Sequence, residues 1–144
     1  MLDTMRFISL LFTALALGAG LAHALELPNK LKLSREDYLT VQQLYRGWER
    51  LGIVEAIALL STLILMIMVR DDPRGFGLTL VALLCTTTTL MIFFLFTLPA
   101  NQRTNQWTEL PANWLALRPQ WEYSHAARAG LFLIALIMLI LSVL

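Results

Sequence analysis

Residues 51–98 read LGIVEAIALLSTLILMIMVRDDPRGFGLTLVALLCTTTTLMIFFLFTL, two long apolar runs on either side of a charged hexapeptide. Leu51 to Val69 is interrupted only by Glu55 and two hydroxyl residues, and Phe76 to Leu98 is apolar with a Thr86–Thr89 run. About 18 apolar residues suffice to carry a helix across roughly 30 Å of hydrocarbon. Threonine hydroxyls are tolerated there because they bond back to their own helix or to a neighbour. The link Arg70–Gly75 (Arg-Asp-Asp-Pro-Arg-Gly) is a tight turn, which makes the two runs antiparallel neighbours. The centre of the chain is therefore read as a membrane hairpin.

Both flanks extend this pattern. Phe7 to Leu27 is apolar except for His23 and Glu26, whereas Ala129 to Leu144 is fully apolar but short. The last span is expected to begin near Pro119, since proline suits the first turn of a helix. The predicted fold is an all-α membrane protein, a four-transmembrane-helix antiparallel bundle with spans at about 6–27, 49–69, 76–98 and 119–144 in one domain. A hydrophobic content of 58% and a mean hydropathy of +0.66 are too high for a soluble globule. A competing reading makes residues 1–24 a secretory signal, because Arg6 precedes an apolar run ending in Ala22-His23-Ala24. Asp3 beside Arg6 and the length of the run favour a retained span.

Pro28 and Asn29 are expected to close the first span, and Ser34 with Asp37 three residues on reads as a helix N-cap. From Tyr38 to Arg50 an additional amphipathic helix is predicted, either separate or as an extension of the second span. Residues 99–118 read as a polar and aromatic loop. Four spans put both termini on one side and segments 28–50 and 99–118 on the other. Lys30, Lys32, Arg35, Arg46, Arg50, Arg103 and Arg118 lie on the long-segment side, against Arg6, Arg70 and Arg74. The positive-inside rule would place the long segments in the cytoplasm, while Arg6 before the first span argues the opposite. A net charge of +1 with no sustained basic patch excludes nucleic acid as a partner. The single cysteine, Cys85, cannot form an intrachain disulfide and is read as a small hydrophobe.

The polar residues within the spans gather toward one end. His23 closes the first span and His125 opens the fourth, so antiparallel threading brings the two histidines to the same depth. Each has a carboxylate three residues away, Glu26 and Glu122, on the same helical face. Glu55 adds a third carboxylate about a turn inside the second run. Bundles with Glu-x-x-His pairs and extra glutamates hold di-metal carboxylate sites, which makes His23, Glu26, Glu122 and His125 candidate ligands for iron, copper or zinc. A bis-histidine haem b ranks below this, because it leaves the glutamates unexplained. Arg118, Trp121, Glu122, His125 and Arg128 form one stripe, and Tyr38, Gln42, Tyr45 and Glu49 a second that could line a cavity. Structural readings stand beside these. Glu26 and Glu122 can pair with Lys30, Arg118 or Arg128, and Trp107, Trp114, Trp121 and Tyr123 suit an aromatic belt. A carboxyl such as Glu55 inside a bilayer needs a cation, a proton or a metal.

Asn101, together with Arg118, Trp121, His125 and Arg128 in the segment LRPQWEYSHAAR, resembles the anthrone-oxygenase-like family of small four-span membrane proteins. The segment from His23, Glu26, Pro28 and Lys30 through Gln42, Gln43, Tyr45 and Gly47 is similar to a bacterial branch of that family. The resemblance covers most of the chain and implies oxygenation of an activated aromatic methylene by O₂ without a dedicated cofactor. On that basis His125 is the expected base, Trp121 stacks on the ring, and Asn101 and Arg128 stabilise an enolate oxygen. Arg118 and Tyr45 are further substrate-binding candidates, and Glu55 a second catalytic candidate. The expected setting is a plasma (inner) membrane.

Three functions are in view. The first is an oxygenase or oxidoreductase acting on a lipophilic aromatic or quinone-like molecule. The second is a non-enzymatic accessory subunit of a larger membrane complex or homo-oligomer. The third, transport or proton relay through Glu55, would need ionisable groups in several layers, and the opposite half of the bundle is apolar apart from the threonines.

Overall fold

A computed structural model describes residues 1–144, which form helices and turns without a strand. The long helices are α1 (Leu2–Lys30), α3 (Leu51–Met68), α4 (Pro73–Ile92) and α6 (Trp114–Val143), joined by the short α2 (Arg35–Gln42) and α5 (Leu98–Arg103). Four stretches, Leu2–Lys30, Trp48–Met68, Pro73–Arg103 and Trp114–Val143, are long and apolar enough to cross a bilayer. The chain is an integral membrane protein. Around the bundle the helices follow the order α1, α3, α4, α6, and α6 packs on both α1 and α4.

The interior is rich in small and hydroxyl-bearing side chains, and many of the large apolar ones point outward. Ala16, Ala58, Ala82, Ala135, Thr13 and Thr62 are buried, whereas Phe7, Leu25, Ile53, Phe94 and Leu95 are exposed. Lipid tails are as apolar as leucine, so helices associate in a membrane through close packing and hydrogen bonds rather than by hiding hydrocarbon. Gly20 shows the principle: a Cβ there would come within 3.1 Å of the Ala129 Cβ. The missing side chain lets α1 and α6 approach closely, within about a turn of His23 and His125. The threonine run bonds to its own helix as expected, with Thr87 and Thr88 donating to the Leu83 and Leu84 carbonyls at 2.8 Å. Cys85 is half-buried and unpaired beside the Leu65 and Ala135 cluster.

Local signals explain the turns. Ser34 caps α2, accepting from the Asp37 amide at 3.1 Å and donating to the Asp37 carboxylate at 2.8 Å. Asp72 caps α4 by accepting from the Arg74 amide at 3.1 Å, with Pro73 in the first turn. The stretch between α2 and α3 is separate rather than an extension. It consists of two 3₁₀ turns, Gln43–Tyr45 and Trp48–Arg50, and the chain bends at Gly47 with φ +89°. Only glycine takes that conformation without strain.

Three prolines do less than the sequence predicts. Pro28 does not end α1, which continues to Lys30. α6 starts at Trp114, well before Pro119, whose missing N–H leaves only the carbonyl of the exposed Leu115 without a donor. The third span also runs past Pro99 to Arg103, through a π-helical turn at Phe93–Thr97. Pro99 lacks the N–H that the Leu95 carbonyl would receive, and the widened turn is held to α6 from outside. Gln120 donates its side-chain amide to the Phe96 carbonyl at 2.8 Å, and the Thr97 and Ser124 hydroxyls meet at 2.7 Å.

Candidate functional site

At the end of the bundle that carries both long segments lies a cavity of about 830 Å³. α1 contributes His23, α2 Gln42, the first 3₁₀ turn Tyr45, and α3 Glu55. The π-turn adds Phe93 and Thr97, α5 adds Asn101, and α6 adds Trp121, His125 and Arg128. The two polar stripes therefore face each other. Each splits at its end, because residues at 100° per step cannot all share one narrow face. Trp121, His125 and Arg128 reach the cavity, while Arg118 and Glu122 turn toward the α1–α2 junction. Likewise Gln42, Tyr45 and Glu49 line it, but Tyr38 lies behind, donating to Glu122 at 2.9 Å.

The two imidazoles stack, with ring centroids 4.2 Å apart and planes 28° from parallel. His23 is further boxed by Tyr45, Trp121 and Trp48 at centroid distances of 4.5, 5.1 and 5.4 Å. Trp121 lies 4.3 Å from His125, edge-on. Behind this aromatic box sits Lys30. Its Nζ lies 3.0 Å from Glu122 Oε2, 3.5 Å from Glu26 Oε2, 3.1 Å from the Tyr45 hydroxyl and 3.4 Å from His23 Nδ1. An ammonium only donates, so His23 Nδ1 accepts from it and the ring's other nitrogen carries the proton. Tyr45 in turn donates to Glu26.

The expected four-residue metal set does not form. No three His, Cys, Asp or Glu side chains converge on one point, and the Lys30 ammonium occupies the position of a cation among the carboxylates. This follows from the continued helix: residues 23, 26 and 30 share one face once α1 runs through Pro28. The stacked rings are also too close for a haem plane to pass between them. The donor set fits neither group.

Glu55 finds its cation in Arg128, whose Nη2 lies 2.5 Å from both carboxylate oxygens, and the guanidinium rests 5.3 Å from the Phe93 ring centroid. Arg118 has a structural post instead of a substrate-binding one. It donates to the Leu33 carbonyl at 2.9 Å and stacks on Trp114 and Tyr38. Of the proposed aromatic belt, Trp107 and Trp121 are buried in the site and only Tyr123 is well exposed.

Asn101 organises the roof. Its side-chain oxygen accepts from the indole N–H of Trp121 at 2.7 Å and of Trp107 at 3.0 Å. Trp107 reaches this position through a left-handed turn, with Asn105, Gln106 and Trp107 at φ 47°, 56° and 59°. Each non-glycine residue there costs about 1–2 kcal/mol. Compensation comes from Thr104, whose hydroxyl accepts the Trp107 amide at 3.1 Å, and from the Gln106 amide bonding to the Asn101 carbonyl at 2.7 Å. Nothing in the sequence signals this turn, which contains no glycine. Asn101→Leu is expected to leave two buried indole donors unpaired and lower stability by about 1–3 kcal/mol per donor. Asn101→Asp, which keeps the acceptor, should recover most of that loss in thermal unfolding followed by circular dichroism. Equal melting of Asn101→Leu and wild type would contradict this role.

Burial pushes the Tyr38 phenol far above its ordinary range, reinforced by the Glu122 carboxylate, and burial with the Glu26 hydrogen bond does the same for Tyr45. In the unfolded chain both phenols ionise near pH 10. Their contribution to stability is thus complete below that pH and lost above it, where only the unfolded chain releases the protons. Alkaline absorbance titration is expected to show Tyr38 and Tyr45 ionising only as the protein unfolds, with Tyr38→Phe and Tyr45→Phe identifying the signals. Ionisation of either at ordinary phenol pH in the folded protein would refute the burial argument.

Three polar nitrogens on residues lining the cavity have no hydrogen-bond partner: Gln42 Nε2, His125 Nε2 and Arg128 Nε. Gln42 and Arg128 are almost fully buried. Searches of protein-family models, curated proteins and solved structures find no match to this chain.

Proposed function

We propose that this membrane protein binds a planar, lipophilic aromatic or quinone-like molecule in the cavity and acts on it as an oxygenase or oxidoreductase. The observation carrying this reading is a cavity walled partly by aromatic rings, three of whose lining residues, Gln42, His125 and Arg128, carry a buried nitrogen without a hydrogen-bond partner. Buried donors without partners are costly, and a ligand oxygen relieves that cost. Gln42 and Arg128 supply N–H groups for a ring carbonyl, phenolate or enolate oxygen. Trp48, Trp121 and Phe93 supply flat apolar walls. His125 Nε2 is the atom placed to accept a proton from an acidic C–H or O–H of the ring, and the resulting oxyanion faces the Arg128 guanidinium. In the oxygenase form implied by the anthrone-oxygenase-like resemblance, a ring CH₂ and O₂ become C=O and water. Glu55 acts in this scheme by positioning Arg128 rather than as a base. An accessory-subunit role accounts for the bundle but gives no reason for the unpartnered nitrogens.

The test is saturable quenching of tryptophan emission by 2-methyl-1,4-naphthoquinone in protein-containing nanodiscs, since Trp48, Trp107 and Trp121 line the cavity and only Trp114 does not. His125→Ala and Gln42→Leu are each expected to weaken binding by about tenfold, one contact's worth. Linear, collisional quenching that is identical in wild type and both variants would reject the site. O₂ consumption with a hydroxylated anthrone-type ring, abolished in His125→Ala, would extend binding to catalysis.

A further inference from the structure

The cavity wall is uneven in a way that bears on what the ligand looks like outside the ring. Below the cavity α4 packs on α3, but its continuation, the π-turn and α5, packs on α6 rather than on α3. A seam therefore opens between the start of α3 and the end of the third span. Lining residues that are also exposed mark its rim. Arg46, Glu49 and Gln106 stand at the surface end, and Gly52 and Phe94 lie deeper. Phe94 is 59% exposed while lining the cavity, and a Cβ on Gly52 would meet nothing within 4 Å. Beside them Ile53 and Met91 are exposed apolar side chains of the lipid-facing surface. The rim thus changes from polar to apolar along its length, and its apolar part opens onto hydrocarbon.

We infer that the cavity is reached sideways from the bilayer through this α3–α4 seam, and that its ligand carries an isoprenoid or alkyl tail on the ring. This deepens the reading above and rests on it. The inner end of the cavity holds the polar partners, Gln42, His125 and Arg128, so the oxygen-bearing ring goes in first. What trails behind crosses the gap between Gly52 on one side and Leu90 and Phe94 on the other, all without a charge or hydrogen-bonding side chain. A hydrocarbon tail there passes from protein to lipid without exposing apolar surface to water. It also keeps the ring in the membrane plane, at high local concentration beside the seam. A polar substituent at the same position would face acyl chains unpaired. The ion pair of Glu55 with Arg128 joins α3 to α6 across the cavity.

The experiment compares two rings in nanodiscs containing the full chain: 2-methyl-1,4-naphthoquinone, and the same ring with a two-isoprene tail at the adjacent carbon. Affinities are read from saturable tryptophan quenching and expressed per lipid, so that partitioning cancels. The tailed ring is expected to bind wild type at least about tenfold tighter than the bare ring. Gly52→Phe, which places a ring in open space at the seam, should cut that preference to about threefold or less. Equal binding of the two rings by wild type overturns the seam, and so does a Gly52→Phe protein that retains its helical spectrum and the full tail preference. The wild-type comparison decides the matter even if Gly52→Phe does not fold. If neither ring quenches saturably, the cavity is not a ring site at all, a failure distinct from the loss of tail preference alone.

Discussion

Lys30→Met is expected to be the most damaging single substitution in the chain, lowering stability by about 3–5 kcal/mol, the range for breaking a buried ion pair by removing one partner. Lys30 is 3% exposed and Glu122 0%, so water screens neither. Without the ammonium, the Glu122 carboxylate keeps one donor, the Tyr38 hydroxyl at 2.9 Å. The other carboxylate near Lys30 matters less, because the Glu26 side chain is 47% exposed and can turn to solvent. Glu122→Gln should also destabilise, by stranding the ammonium. The double variant Lys30→Met/Glu122→Gln is expected to be more stable than the sum of the singles by about 1–3 kcal/mol. Chemical unfolding in detergent micelles gives all four values of this cycle. Strict additivity, or a Lys30→Met protein as stable as wild type, would show that the pair does not hold α1 against α6.

Lys30 is one of the pairing partners that the sequence offers Glu26 and Glu122, and it is the one both use. Hydropathy and the Arg70–Gly75 turn identify four spans, though not all of their ends, and antiparallel threading alone brings His23 and His125 together. The depth of Glu55 calls for a cation, a proton or a metal, and the structure supplies the first, Arg128. The prolines misled. A proline breaks one helical hydrogen bond and crowds the preceding turn, a local penalty of about 3 kcal/mol. Tertiary contacts outweigh it at Pro28, where Tyr45 and Glu122 from other elements hold Lys30, and at Pro99, where Gln120 and Ser124 hold the widened turn. With α1 continuing through Pro28, Lys30 falls on the face that carries His23 and Glu26, which decides between the ion-pair and metal readings of those carboxylates in favour of the ion pair. Trp107 was missed for another cause. Its indole reaches Asn101 only through three consecutive left-handed residues, none of them glycine. Local propensity argues against such a turn, and what favours it is tertiary and short-range bonding: the Thr104 and Asn101 hydrogen bonds and the packing of Trp107 on Trp121, at 5.7 Å.

Arg128→Met is expected to have the second largest effect, and it separates stability from binding. Arg128 has one partner in the protein and one nitrogen left over for the proposed ligand. Its Nη2 holds the Glu55 carboxylate at 2.5 Å, and its buried Nε has no protein acceptor. Methionine fills similar volume but strands Glu55 one turn inside α3, which should cost about 3–5 kcal/mol and weaken ring binding by at least about tenfold. Adding Glu55→Gln removes the stranded charge. The double variant Glu55→Gln/Arg128→Met is therefore expected to regain most of the lost stability, as neutral replacements of buried ion pairs commonly do. It should not regain the ring, because the N–H directed at the ligand oxygen is still missing. Glu55→Gln alone should show the converse pattern: affinity falls less than in Arg128→Met, since the guanidinium remains but loses the carboxylate that aims it. Recovery of ring affinity in the double variant would mean that Arg128 acts only by holding α3 against α6, and the oxygen of the ligand would then need another partner. Persistent instability in the double variant would instead place the main role of Arg128 in its packing on Phe93. The two readouts move apart only if one side chain closes the bundle with its end nitrogen and meets the ligand with the inner one.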